Sequence, residues 1–229
     1  MTEPLLLAPL TLCLHGNPLL QLPPCPIAPG EVLTLMGPSG CGKSSLLAGI
    51  AGVLPKGGPL TLHGEIRQGE RLLSPLPAYQ RRIGILFQED LLFAHLTVAE
   101  NLMFGMPAHI RGKERRARAL AALARVELAG FAERHPAALS GGQKARISLL
   151  RALLAEPAAI LLDEPFARLD KPLRAAFRAL VFGEIAARAI PAILVSHDEE
   201  DAPATILDLG ALTATPGRGS PCRSATYAP

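Results

Sequence analysis

The sequence has 229 residues, 49% hydrophobic and 19% charged, which excludes disorder of the whole chain and suits one α/β domain with a small accessory lobe. A formal net charge of +3, without a concentrated basic face apart from one short cluster, argues against a nucleic-acid partner. Cys13, Cys25, Cys41 and Cys222 lie scattered without metal-ligand spacing, so neither a zinc site nor a disulfide framework is expected and a reduced cytosol suits them.

In chain order, Leu5 to Leu14 resembles the apolar part of a signal peptide, but Glu3 replaces the basic start and Pro9 interrupts the run, so no secretion signal is expected. Leu10, Leu12 and Leu14 alternate as one face of a first strand, with a turn at His15-Gly16-Asn17-Pro18. Val32 to Met36 reads as a second strand, running into a glycine-rich turn and a helix that begins near Lys43. Between Phe87 and Ser140 the pattern turns helical, over Val98 to Phe104 and Lys113 to Leu128, marking an accessory helical lobe of about residues 88–145. Within it, Arg111, Lys113, Arg115, Arg116 and Arg118 form a basic cluster expected to be a solvated helix face. Ile160-Leu161-Leu162 and Ala192-Ile193-Leu194-Val195 are short apolar runs that end in polar residues, as parallel strands covered on both faces do. After Gly210 the composition shifts to Gly, Pro, Ser and Thr, so the domain is expected to cover residues 1–210 and a loose tail residues 211–229. No uninterrupted apolar run reaches the ~18 residues that span a bilayer.

Gly37-Pro38-Ser39-Gly40-Cys41-Gly42-Lys43-Ser44 satisfies the phosphate-loop pattern between a strand and a helix, with Ser45 following. Backbone N–H groups must approach a phosphate chain to about 3 Å, and glycines keep that space free of side chains. Lys43 is then expected on the β- and γ-phosphates and Ser44 on Mg²⁺. Ala159 to Leu162 lead into adjacent carboxylates, Asp163 and Glu164: the first suits a metal-holding role through water, the second the orientation of an attacking water. Two acids side by side need a cation or hydrogen bonds to offset their repulsion. Ser140, Gly141, Gly142 and Gln143 form a capping box that opens a helix bearing Ile147, Leu150 and Leu154. The glycines in that first turn also leave room for an anion.

Leu139-Ser140-Gly141-Gly142-Gln143 resembles the signature sequence of ABC ATPases, and the resemblance extends over about residues 5–205. It implies an α/β fold: a P-loop NTPase core with a mostly parallel sheet, an N-terminal antiparallel β subdomain and an inserted α-helical subdomain. It further implies that Gln88 is the Q-loop contact to Mg²⁺ and water, Asp170 the D-loop aspartate, and His197 the switch histidine on the γ-phosphate. Two copies would form a homodimer in the ATP-bound state, the signature of one closing on the nucleotide of the other. Leu91 to Leu102 is similar to the stretch with which importer ATPases receive a permease. The resemblance is closest to short ATPases of thiamine-, iron- or polyamine-type uptake and to one uncharacterised bacterial group sharing Ile-Gly-Ile-Leu-Phe-Gln. Integral membrane permease subunits, an extracytoplasmic solute-binding protein, import, and a peripheral position on the cytoplasmic face of the inner membrane follow as expectations. The family's adenine-stacking aromatic is absent from Leu12 to Leu20, where His15 is nearest the expected place; this leaves GTP use open beside ATP.

Two other readings stand beside this one. A soluble ABC ATPase of repair, chromosome or ribosome work is disfavoured because only about fifty residues separate Gln88 from Ser140. A nucleotide sensor would not need Lys43, Asp163, Glu164 and His197 together.

Overall fold

A computed structural model describes residues 3–203 and 205–212. The chain starts with four antiparallel segments, β1 (Leu5–Leu7), β2 (Leu10–Leu14), β3 (Asn17–Leu22) and β4 (Cys25–Ile27), then β5 (Val32–Met36) leads into α1 (Lys43–Ala51). Next come β6 (Leu60–His63), β7 (Ile66–Gln68), β8 (Arg71–Leu72), the short α2 (Ala78–Arg81) and β9 (Ile83–Leu86). Helices α3 (Val98–Phe104), α4 (Gly112–Arg125) and α5 (Gly141–Leu154) follow, then β10 (Ala159–Asp163), α6 (Lys171–Ala187), β11 (Ala192–Val195) and β12 (Ile206–Asp208).

A five-stranded parallel sheet in the order β12-β5-β11-β10-β9 forms the centre, and two antiparallel sheets, β4-β1-β7-β8 and β3-β2-β6, make the β subdomain. The expected α/β class is therefore observed. The period of two in the apolar strands divides their side chains between layers. Leu161, Ile193 and Val195 join α1 and the β subdomain in one core cluster. Their neighbours Ile160, Leu162 and Leu194 meet Phe166, Phe177 and Val181 in a second. Full burial of a side chain such as Phe177 is worth about 1.5–3 kcal/mol, so neither face can be left to water.

The third cluster belongs to α3, α4 and one face of α5, through Leu102, Leu123, Ile147 and Leu150. The opposite face of α5 supplies Leu149 and Leu153 to the second cluster, so this helix fixes the signature turn relative to the sheet. Helix α3 opens on a capping box between Thr97 and Glu100.

One expectation changes. Helix α4 ends at Arg125, not Leu128, because Glu127 turns left-handed (φ 63°) and the Leu128 N–H bonds the Leu123 carbonyl at 2.9 Å, closing the helix. The basic cluster faces solvent as expected, with Arg111, Lys113, Arg116 and Arg118 exposed; Arg116 pairs with Glu133 and Arg118 with Glu114 and Glu156, while half-buried Arg115 donates to the Met106 carbonyl. Cys25 and Cys41 are buried free thiols. The expected tail beyond Leu212 lies outside the described residues.

Candidate active site

Strand β5 is buried along Val32–Leu35 and ends at the loop Gly37–Gly42, which enters α1 at Lys43. Gly42 caps that helix at φ 101°, and a Cβ there would stand 3.0 Å from Leu12 Cδ2 and 3.3 Å from Leu19 Cδ2. A left-handed backbone pressed against the β subdomain leaves glycine as the residue that fits. The ammonium of Lys43, a residue 6% exposed, donates to the carbonyls of Gly37 at 2.7 Å and Pro38 at 2.9 Å. It thus curls the loop over itself. Pro38, Ser39, Gly40 and Ser44 face solvent, Ser45 is half-buried, and Cys41 is buried beneath the loop.

The ends of β10 and β11 complete the constellation. Asp163 pairs in register with Val195, so Glu164 and His197 emerge at the same end of the parallel sheet. Ser44 Oγ donates to Asp163 Oδ1 at 3.0 Å. Burial pushes the Asp163 carboxyl up, and Glu164 adds to this, while the Ser44 hydrogen bond and Lys43 oppose it. Glu164 adopts a left-handed backbone (φ 46°), which costs a non-glycine residue on the order of 1 kcal/mol. Its N–H donates to the Val195 carbonyl at 3.0 Å. The Glu164 carboxylate lies 3.5 Å from His197 Nδ1. The structure therefore gathers Lys43, Ser44, Asp163, Glu164 and His197 into one place from three separate chain regions.

Ser140 and Gln143 form both bonds of the capping box: the Gln143 N–H donates to Ser140 Oγ at 3.3 Å, and the Ser140 N–H to Gln143 Oε1 at 2.9 Å. A Cβ on Gly141 would meet nothing within 4 Å, whereas one on Gly142 would sit 2.2 Å from Leu173 Cδ2 of α6. The two glycines do different work, one leaving open space and the other admitting a neighbouring helix. The hydrogen bonds of this turn stay within it, and those of Lys43 stay within the phosphate loop. Asp170 is the N-cap of α6, accepting from the Leu173 N–H at 3.0 Å.

Gln88 is exposed two residues past β9, level with the exit of β10. It shares a cleft of about 170 Å³ with Gly141, Lys144 and Arg168. Beyond it, an apolar hollow of about 470 Å³ is lined by Phe87, Leu91, Phe93, Phe104 and Arg151. His15 (φ 49°) stands on its turn beside an open depression with Thr61 and His63. Sequence reasoning missed Arg174, Ser196 and Asp201, which meet behind His197; the acid-rich run from Asp198 to Asp201 was the available signal. Among the described residues, no helix is long and apolar enough to cross a membrane.

A glycine-rich strand-to-helix loop with an inward lysine, and carboxylates at the end of an adjacent buried strand, define a P-loop nucleotide-binding protein. Residues 25–167 match the ABC transporter family, and the chain belongs to it, as one of the ATP-binding proteins that hydrolyse ATP to drive transport. The chain is 50% identical over 182 residues to the uncharacterised ABC transporter ATP-binding protein YnjD of Escherichia coli, an overlap of 79% of this chain and 83% of that one. It is 42% identical over 194 residues to a taurine import ATP-binding protein of Pseudomonas entomophila, covering 84% and 71% respectively. A sulfate/thiosulfate import ATP-binding protein of Gloeobacter violaceus is 44% identical over 178 residues, 77% of this chain; the chain spans only 50% of that relative's length.

Proposed function

We propose that this chain binds ATP with Mg²⁺, hydrolyses it as a homodimer, and powers solute import through a separate membrane permease. The observation that carries the reading is the convergence of Lys43, Ser44, Asp163, Glu164 and His197 at one end of the parallel sheet. Lys43 exchanges its loop carbonyls for the β- and γ-phosphates, which the backbone from Gly37 to Ser45 surrounds. Ser44 and Asp163 offer two hard oxygen donors already in contact, a set that fits Mg²⁺; no group of three or more metal-ligating side chains exists among the described residues. When bound, Mg²⁺ neutralises charge that develops on the phosphate oxygens. Glu164 orients the attacking water, His197 contacts the γ-phosphate, and Gln88 senses both from the adjoining strand exit.

The open space over Gly141 and the exposed Ser140 support a signature turn that closes on the partner's nucleotide, with Asp170 near the same junction. C₂ symmetry then makes the two sites equivalent. The hollow beside Gln88 supports permease docking, because Phe104 (66% exposed), Leu91 (51%) and Phe87 (39%) leave its rim apolar. The taurine and sulfate relatives, both named as import proteins, favour import, and an extracytoplasmic solute-binding protein is the further partner of the proposed importer. The chain would then sit at the cytoplasmic face of the inner membrane.

The test is a pull-down from solubilised membranes with mass spectrometry of the co-eluting proteins. The wild-type chain should bring down a permease, and Phe104→Asp should lose it while retaining ATP binding. Recovery with ribosomes or nucleic acid and no membrane protein would overturn the reading in favour of a soluble ATPase.

A further inference from the structure

We propose that Arg174 and Asp201 form a positioning pair that holds the His197 loop against the first turn of α6, tying the imidazole to the helix that Asp170 opens. This rests on the reading of His197 as the γ-phosphate contact.

The His197 side chain is 59% exposed and touches Glu164 at 3.5 Å, so packing does little to fix the ring. Its backbone is fixed from beneath. Asp201, 2% exposed, receives a two-pronged bond from Arg174: Nε to Oδ1 at 2.9 Å and a terminal nitrogen to Oδ2 at 2.5 Å. Ser196, immediately before His197, donates its hydroxyl to Asp201 Oδ2 at 2.9 Å. Asp198, immediately after it, pairs with Arg174 at 2.7 Å and donates its N–H to Ser196 Oγ at 3.1 Å. Both chain neighbours of His197 are thereby tied to one guanidinium, Asp198 directly and Ser196 through Asp201. Arg178, a turn further along α6, stands 3.5 Å from Asp201 and also donates to the Glu200 carbonyl.

The other end of the pair reaches the dimer-facing turns. The Arg174 N–H donates to the Asp170 carbonyl at 2.8 Å, and the Asp170 carboxylate caps Leu173. Leu173 in turn fills the space that Gly142 leaves. A displacement at Asp170 or at the signature turn is thus carried through one helical turn to the backbone of His197. The planar fork of arginine suits this task, because two parallel bonds fix orientation as well as distance.

Arg174→Lys keeps the charge and loses the fork, so it avoids leaving Asp201 buried without a cation. In the full chain we expect kcat for ATP to fall about tenfold, with KM within about twofold, as for a misplaced catalytic group. Carbon-13 NMR of labelled histidine should show the His197 signal displaced while the other five of the six histidines keep their positions. His197→Gln, which deletes one signal, assigns it. An unmoved His197 signal, or a displaced one with unchanged kcat, overturns the proposal. Should Arg174→Lys fail to fold, Asp201→Asn puts the same question from the acceptor side. Normal turnover in His197→Gln would instead overturn the functional reading, and the NMR signal would still decide whether the pair holds the ring.

Discussion

Gly40 and Gly112 are a matched pair for separating backbone strain from ligand space. Gly40 has φ +82° and Gly112 φ +52°, and a Cβ at either would meet nothing within 4 Å. Alanine at either site therefore carries a left-handed penalty of about 1 kcal/mol and no clash. In a chain of 229 residues that lowers the melting temperature by roughly 2–4 °C. The open space has a different use in the two places, since that above Gly40 is where the phosphate chain is proposed to lie. A ligand at a hundredfold its dissociation constant adds about 2.7 kcal/mol, or roughly 5–10 °C here. Thermal unfolding with and without Mg²⁺-ATP, at a concentration set from the wild-type affinity, should give that rise for wild type and Gly112→Ala. Gly40→Ala should lose most of it while matching Gly112→Ala without nucleotide. A full ATP-dependent rise in Gly40→Ala would refute the placement of phosphate over this loop. A much larger drop in nucleotide-free Gly40→Ala than in Gly112→Ala would refute the strain argument.

Glu164→Gln should keep ATP binding, lose turnover by about a hundredfold or more, and elute as a dimer in ATP during gel filtration; normal turnover would sink its assignment as the water-orienting group. Asp163 offers a test in pH. Its folded-state pKa is raised, chiefly by burial, so its stabilising contribution is complete below the unfolded value and is lost as pH rises through the folded one. In the nucleotide- and metal-free chain, Asp163→Asn should therefore melt above wild type near neutral pH, with the gap closing as pH falls to about 4, and should lack ATP turnover. A gap independent of pH would contradict the burial argument.

Those features that depend on neighbours in sequence were legible before any coordinates. The phosphate loop is one, because strand, glycines, Lys43 and helix follow one another within a dozen residues. The capping box of Ser140 and Gln143 is another, since both bonds close inside one turn. The apolar runs at Ile160–Leu162 and Ala192–Val195 marked parallel strands, because burial on both faces leaves no polar alternation. The end of α4 was misread because apolar periodicity continues through Val126 and Leu128, although Glu127 has already left the helix.

Tertiary structure alone decided which distant residues meet. Ser44 reaches Asp163 across 119 positions of sequence, and no pattern in either segment specifies that bond. Arg174 and Asp201 each look like ordinary surface charges until α6 packs beside the loop after β11. Gly141 and Gly142 are the same letter twice, and only the position of Leu173 gives them different tasks. Sequence thus determined the family and the turns, because the motifs that mark them are local stretches of backbone geometry. The assembled site needed the fold, because the distances between motifs are set by how helices and strands bury their apolar faces against one another.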